Sequence, residues 1–244
     1  MVEQSELRTE STGKPVLELR GVSYRGKSEH SINLSHFDIT LNCGQLLMIR
    51  TERSQRTRDF ASLLQGLEAP SSGEIRFQSH RWDSYDFDRE FDLRGRIGRV
   101  FDGQAWIENL NVAENVTLKL RHHRVTSDRI EAEVNRWVMH LEMTELSRQR
   151  PAFLEPSVLQ MHQWIRAFAG SPSLLILERP MHLVPKSRLP LLLSAVNQLR
   201  REGAAVVWLS SAPTISDDDA LPPARVLHCD QQQLLTDEGD SRDE

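Results

Sequence analysis

The chain has 244 residues, of which 39% are hydrophobic and 27% charged, and 30 lysines and arginines against 35 aspartates and glutamates leave a formal net charge of −5. That balance excludes a generally basic nucleic-acid binder, although a local basic patch is compatible with it. At roughly 150 residues per domain the length allows between one and two domains, and the two cysteines, Cys43 and Cys229, provide neither a disulfide framework nor a metal pair, which points to a reducing cytoplasmic compartment.

The first fourteen residues are polar, lack the apolar core of a secretory signal and read as a disordered segment. Val16–Tyr24 alternates apolar and polar residues and reads as a strand; Ile32–Leu41 is a second alternating stretch, closed by the turn signal Asn42-Cys43-Gly44. Leu46–Ile49 is continuously apolar, as a central buried strand would be. A polar segment, Arg50–Asp59, comes next. Phe60, Leu63, Leu64 and Leu67 then fall on one helical face, Pro70-Ser71-Ser72-Gly73 ends that helix, and Glu74–Phe77 returns as a strand.

Ile97–Phe101 reads as a further strand. Helices are expected over Asp128–Ser147, Val158–Ala169 and Pro185–Arg201, and strands over Leu174–Leu177, Ala205–Ser210 and Arg225–Cys229. The residues from 236 onward are acidic and read as a disordered tail. No run approaches the ~18 apolar residues of a membrane span, so any membrane role would come through a partner. Strands and helices in alternation, with continuously apolar central strands, argue an α/β fold with a mainly parallel sheet core. An N-terminal antiparallel β layer and a helical subdomain inserted at about 80–165 complete a domain expected over 15–235.

Specific residues then meet this order of elements. Leu63–Ile75, LLQGLEAPSSGEI, is similar to the "LAGL" and "P-x-SGEI" segments of the ATP-binding-cassette (ABC) transporter ATPases. Val112–Val116 resembles their "TVxENV" segment, Trp164–Pro172 their "xARALAxxP" and Leu174–Pro180 their Walker B strand "LLILDEP". The resemblance covers about residues 16–230 with family-like spacing, and it implies a P-loop NTPase-like ABC ATPase fold.

The functional positions that the resemblance assigns are altered. The family's phosphate loop, G-x-x-G-x-G-K-[ST], works because glycine lets backbone amides approach phosphate, lysine reaches the outer phosphates and the hydroxyl binds Mg²⁺. Counted back from Gly66, its positions hold Thr51, Ser54, Arg56, Thr57 and Arg58, and no glycine stands between Gly44 and Gly66. Thr57 replaces the lysine and Arg58 the magnesium-binding hydroxyl. Arg50, Arg53, Arg56 and Arg58 could instead clamp an anion with side chains, or could line a solvated loop.

The Q-loop glutamine corresponds to Asp102, and the adenine-stacking aromatic to Tyr24. The signature LSGGQ corresponds to Leu154-Glu155-Pro156-Ser157-Val158, where Glu155 places negative charge against a phosphate and Pro156 fixes φ. The Walker B carboxylates correspond to Glu178 and Arg179, and arginine cannot serve as a general base. Glu178 and Arg179 are expected to pair with neighbouring loops, an arginine of the altered phosphate loop being one candidate. The switch histidine corresponds to Ser211. His122, His123 and His162 show no metal-ligand spacing and read as surface residues, the adjacent pair diverging on any regular element.

In the ABC family each composite site joins the phosphate loop of one subunit to the signature of the other, and both halves are altered here. The resemblance therefore implies a pseudo-ATPase with no catalytic residue, no cofactor required (ATP and Mg²⁺ being what an intact site would take) and no metal site. As a structural or regulatory subunit it would act on a membrane permease or a second ABC ATPase, a dimer being one arrangement the resemblance allows, at the cytoplasmic face of a membrane and without nucleic acid. In that family the cleft near the Q-loop receives a coupling helix of the permease, and Trp106–Val116 matches that region. Two alternatives stand beside this reading: an atypical, slow ATPase using the arginines of 50–58 and Glu178, and a free-standing module that senses an anion or a nucleotide.

Overall fold

The computed structural model describes residues 13–84, 86–103, 105–211, 225–230 and 233–236. The disorder expected for the two termini falls almost wholly outside them. An antiparallel sheet is built from β1 (Pro15–Tyr24), β2 (Leu34–Asn42), β4 (Ser72–Phe77) and β5 (His80–Arg81), in the order β2-β1-β4-β5. A second, six-stranded sheet runs β10-β9-β3-β8-β7-β6, from β3 (Leu46–Arg50), β6 (Ile97–Val100), β7 (Leu174–Glu178), β8 (Ala205–Ser210), β9 (Arg225–Asp230) and β10 (Gln233–Thr236). Its strands are parallel except β10, which closes the β9 edge antiparallel. The α/β architecture with an antiparallel layer is thus present, and β10 is an addition to what the pattern suggested.

The central strands are apolar throughout because both faces of this sheet are covered. Leu46 and Met48 of β3, Leu175 and Leu177 of β7, and Val206 and Trp208 of β8 face a cluster built by the helices α3 (Val112–His122), α4 (Ser127–His140), α5 (Pro156–Phe168) and α6 (Leu189–Arg201). Leu47, Ile49, Leu174, Ile176, Val207 and Leu209 face the opposite cluster, formed with the antiparallel sheet and α1 (Arg58–Leu64). Each such buried side chain contributes about 1.5–3 kcal/mol of transfer free energy, which is why the pleat tolerates almost no polar residue here.

Local signals explain the helix starts. Asn111 and Glu114 form a reciprocal capping box on α3, and Pro156 opens α5 at a position where its missing N–H costs nothing. Three expected helices are shorter in the structure. The first ends at Leu64, so Leu67 lies beyond it and is 58% exposed rather than on the buried stripe. α4 stops at His140, and the residues before Leu189 form a 3-10 turn, Lys186–Arg188. A further helix, α2 (Phe87–Gly95), precedes β6, the strand expected over Ile97–Phe101, which joins the edge of the core sheet beside β7. Gly98 lets β6 lie against α5, since a Cβ there would stand 2.0 Å from the carbonyl oxygen of Ala167. Among the described residues no helix is long and apolar enough to cross a membrane.

Candidate functional site

Strand parity sets the site. In β7 the side chain of Glu178 points to the same face as Leu174 and Ile176, and in β6 Arg99 points to the same face as Ile97, toward α1. There the two meet: Arg99 Nε donates to Glu178 Oε1 at 2.7 Å, with side chains only 4% and 1% exposed. The other carboxylate oxygen accepts the Thr57 hydroxyl at 2.7 Å. Arg99 donates further to Ser62 Oγ, Gln65 Oε1 and the carbonyl of Arg58, and lies over the Phe101 ring. A buried carboxylate is tolerable only with such a full complement of partners. The expected pairing of Glu178 with an arginine of the phosphate loop is therefore corrected: the partner comes from β6. The sequence carried one signal of this, an arginine inside an apolar four-residue strand, which requires a buried counter-ion.

Arg179 is the second feature. Its backbone takes φ +44°, a left-handed conformation unusual for a side-chain-bearing residue. Its guanidinium donates to the carbonyl oxygens of Glu52 (2.9 Å) and Gln55 (2.5 Å) and to Asp102 Oδ2 (3.0 Å). The loop from 51 to 57 thus turns the carbonyls of Glu52 and Gln55 toward the site. Four of its amides are committed elsewhere: Thr51 to the carbonyl of Ser210, Glu52 to the Gln55 side chain, Gln55 to the carbonyl of Glu52 and Arg56 to the carbonyl of His30. The Gln55 side chain is buried and reaches Cys229 Sγ at 3.2 Å. α1 has seven residues, and its N-cap, Thr57, gives its hydroxyl to Glu178 instead of capping the helix.

The other positions follow. Arg53, Arg56 and Arg58 are exposed, and among the described residues no hydrogen bond or ion pair holds their side chains. Arg53 borders an open cleft of about 460 Å³ with Arg179, Met181, His182, Ser210 and Ser211. Asp102, besides holding Arg179, lies 3.7 Å from His182 Nδ1. Tyr24 is 6% exposed and packs in the core; burial, then Asp59 and Glu68, push its phenol up to about 12. A ring sealed in this way has no face to offer a base, so the stacking role suggested for Tyr24 is corrected. Glu155 precedes Pro156 at the exposed start of α5 and caps nothing with its side chain.

The histidines also differ from expectation. His162 is 1% exposed: its Nδ1 bonds the Val158 carbonyl at 2.8 Å and its Nε2 accepts the Ser147 amide at 3.2 Å, while burial holds its pKa below the usual range. His122 and His123 do not diverge, because His123 already leaves the helix as its C-cap, and both rings contact Phe91. Among the described residues no group of three or more His, Cys, Asp and Glu is placed to hold a metal ion. Asn115, within the quoted Val112–Val116 segment, has a structural role the sequence did not disclose: it accepts the Ile107 amide and donates to the carbonyls of Ile107, Leu110 and Asn111.

These residues do not fit a Mg²⁺–triphosphate. The carboxylate that would face the metal is held by Arg99 and Thr57, and the loop that would cradle phosphate presents oxygens to Arg179.

No protein-family model matches the chain. It is 22% identical over 210 residues to the putrescine transport ATP-binding protein PotG of Escherichia coli, covering 86% of this chain and 54% of that protein. It is 24% identical over 199 residues to the methionine import ATP-binding protein MetN 1 of Acinetobacter baylyi, covering 80% and 56%. With the spermidine/putrescine import ATP-binding protein PotA of Haemophilus influenzae the identity is 26% over 168 residues, covering 69% and 43%. The chain thus spans about half the length of these relatives. Among solved structures, the dimeric ATP-binding cassette MJ0796 bound to ADP and Pi superposes with a TM-score of 0.77 at 17% identity, over 92% of this chain and all of that one. The ATP-binding subunit of an ABC transporter superposes with 0.76 at 15% identity, over 90% and 88%. The fold is that of the ABC ATPase cassettes, and the chain resembles ABC transporter ATP-binding subunits in sequence.

Proposed function

We propose that this chain is an ABC transporter ATP-binding-type subunit that has given up ATP hydrolysis and serves as a structural or regulatory partner of a membrane permease or of a second ABC ATPase, peripheral on the cytoplasmic face. The observation that carries the reading is the Arg179 guanidinium seated on the carbonyls of Glu52 and Gln55. Phosphate binding needs N–H groups turned inward; here the same loop is turned to receive a cation, and the protein supplies that cation itself. Arg179 also stands at the position from which the family activates water, and a guanidinium takes no proton there. The altered signature at Leu154–Val158 removes the other half of any composite site. Docking would use the cleft near Asp102, where Asn115 fixes the segment that resembles the permease-facing region.

Titration calorimetry with Mg²⁺-ATP, backed by thermal shift, tests this reading. The expected result is neither heat nor a rise in melting temperature at millimolar ATP. A nucleotide bound at a hundredfold excess over Kd would add about 2.7 kcal/mol of stability, so micromolar binding would overturn the reading and favour the slow-ATPase alternative. The cleft bordered by Arg53, His182 and Ser211 supports the anion-sensing alternative, which orthophosphate in the same assay would reveal.

A further inference from the structure

The chain has four lysines, and three of them, Lys14, Lys27 and Lys186, are exposed. The fourth, Lys119, is half-buried on α3 beside β6, the edge strand of the six-stranded sheet. Its ammonium donates to the Ile97 carbonyl at 3.3 Å, and among the described residues no carboxylate reaches it. The side chain lines two clefts. One is an open groove of about 420 Å³ that carries Arg94, Arg99, Arg166 and the pair His122 and His123, with no aspartate or glutamate among its described lining residues. The other, of about 330 Å³, holds Asp92 and Glu133 together with Arg96 and Arg129. Arg94 and Arg99 already have counter-charges, from Glu90 and Glu178. Arg166 has only neutral partners: it donates to the Ala105 carbonyl and the Gln163 side chain and lies over the rings of Phe101 and Trp106. Burial first, and then the Arg166 charge, push Lys119 down to about 8. About a tenth of it is therefore free, nucleophilic amine at pH 7.

We infer that Lys119 is a carbon dioxide site, its free amine adding to CO₂ and the resulting carbamate being held by the Arg166 guanidinium. The ammonium first loses a proton to solvent. The nitrogen lone pair then attacks carbon, the N–C bond forms, and one C=O bond opens to a carboxylate oxygen. A second proton leaves the nitrogen, so ammonium and CO₂ give the carbamate anion and two protons, with no oxidant or further reactant. The surroundings favour this product over a neutral one. Two cations that repel each other become an anion beside a cation, in a place poor in water where that attraction is strong. An acylated lysine would leave Arg166 still without a counter-charge. The exposed lysines lack both aids, since their amines stay protonated and no desolvated guanidinium adjoins them. The reaction reverses the sign of charge on one wall of the groove, so the level of CO₂ decides whether that wall is cationic or anionic. The inference stands whether or not a permease docks on this chain.

The test equilibrates the full chain with ¹³C-labelled bicarbonate and CO₂ at neutral pH. Triethyloxonium then converts any carbamate to a stable ethyl ester, which peptide mass spectrometry locates, while ¹³C NMR follows the carbamate carbon in the untreated protein. The expected result is trapping on Lys119 about tenfold or more above that on Lys14, Lys27 and Lys186, as a shift of two or more units in amine pKa implies. The carbamate resonance should vanish in Lys119→Arg, which keeps the charge but offers no amine. It should fall about tenfold in Arg166→Gln, because an opposite charge shifts such an equilibrium by a unit or more. Trapping is read on the parent chain, so the test survives if either variant fails to fold. No trapped group on Lys119, equal trapping on all four lysines, or an undiminished resonance in Lys119→Arg or in Arg166→Gln would overturn the inference.

Discussion

Two regions of this molecule use buried or half-buried cations in opposite ways. At the end of the sheet near α1, Arg99 and Arg179 meet carboxylates and carbonyls of the chain itself, and the site is internally closed. In the groove beside α3, Lys119 and Arg166 rest on neutral carbonyls and aromatic rings, and no carboxylate of the chain lines it among the described residues. The difference teaches that charge content alone says little about function. What separates a structural cation from one that waits for a partner is whether the fold has already supplied the counter-charge.

The strongest way to break the closed region is Arg99→Met. It leaves the Glu178 carboxylate, 1% exposed, with the Thr57 hydroxyl and no cation, and the expected loss is about 3–5 kcal/mol in chemical denaturation. The double variant Arg99→Met/Glu178→Leu should regain most of it; a single variant as stable as the parent would show that the pair carries no structural role. Arg179→Ala comes next. Uncovering the carbonyls of Glu52 and Gln55 is expected to cost about 1–3 kcal/mol. Arg179→Gly should be less harmful than Ala by about 1 kcal/mol, because φ +44° suits glycine. If Gly and Ala behave alike, the backbone there stores no strain.

The smallest effect sharpens the open region. Below pH about 8 the folded chain buries Lys119 charged, so the burial penalty is present in full. Between about 8 and 10.5 the folded form sheds a proton that the unfolded form keeps, so stability rises with pH across that window. Lys119→Met should therefore raise the melting temperature at pH 7, and the advantage should fade toward pH 10.5. An advantage constant with pH would mean that the gain comes from packing alone.

Much of the fold was legible in the sequence because β3, β7 and β8 are buried on both faces, and burial on both faces leaves a continuous apolar run. α2 was not legible: FDREFDLRG buries only Glu90 and Leu93, so no stripe forms, and Phe87 and Phe91 are left exposed. Of the candidate site, the altered identities could be read from sequence, but their partners could not. Arg99 and Glu178 lie 79 positions apart, and only strand register brings them together. Tyr24 misled because a tyrosine at a strand end looks the same whether its ring faces a ligand or the core.

The contact between Gln55 and Cys229 has one more consequence. Cys43 is an exposed free thiol, whereas Cys229 is buried on β9 behind the 51–57 loop and hydrogen-bonded to it. A thiol reagent should therefore modify Cys43 at once and Cys229 only when that loop lifts from β9. The slower of the two labelling rates is a clock built into the chain: it counts how often the loop opens, and any ligand that holds the loop shut will slow it.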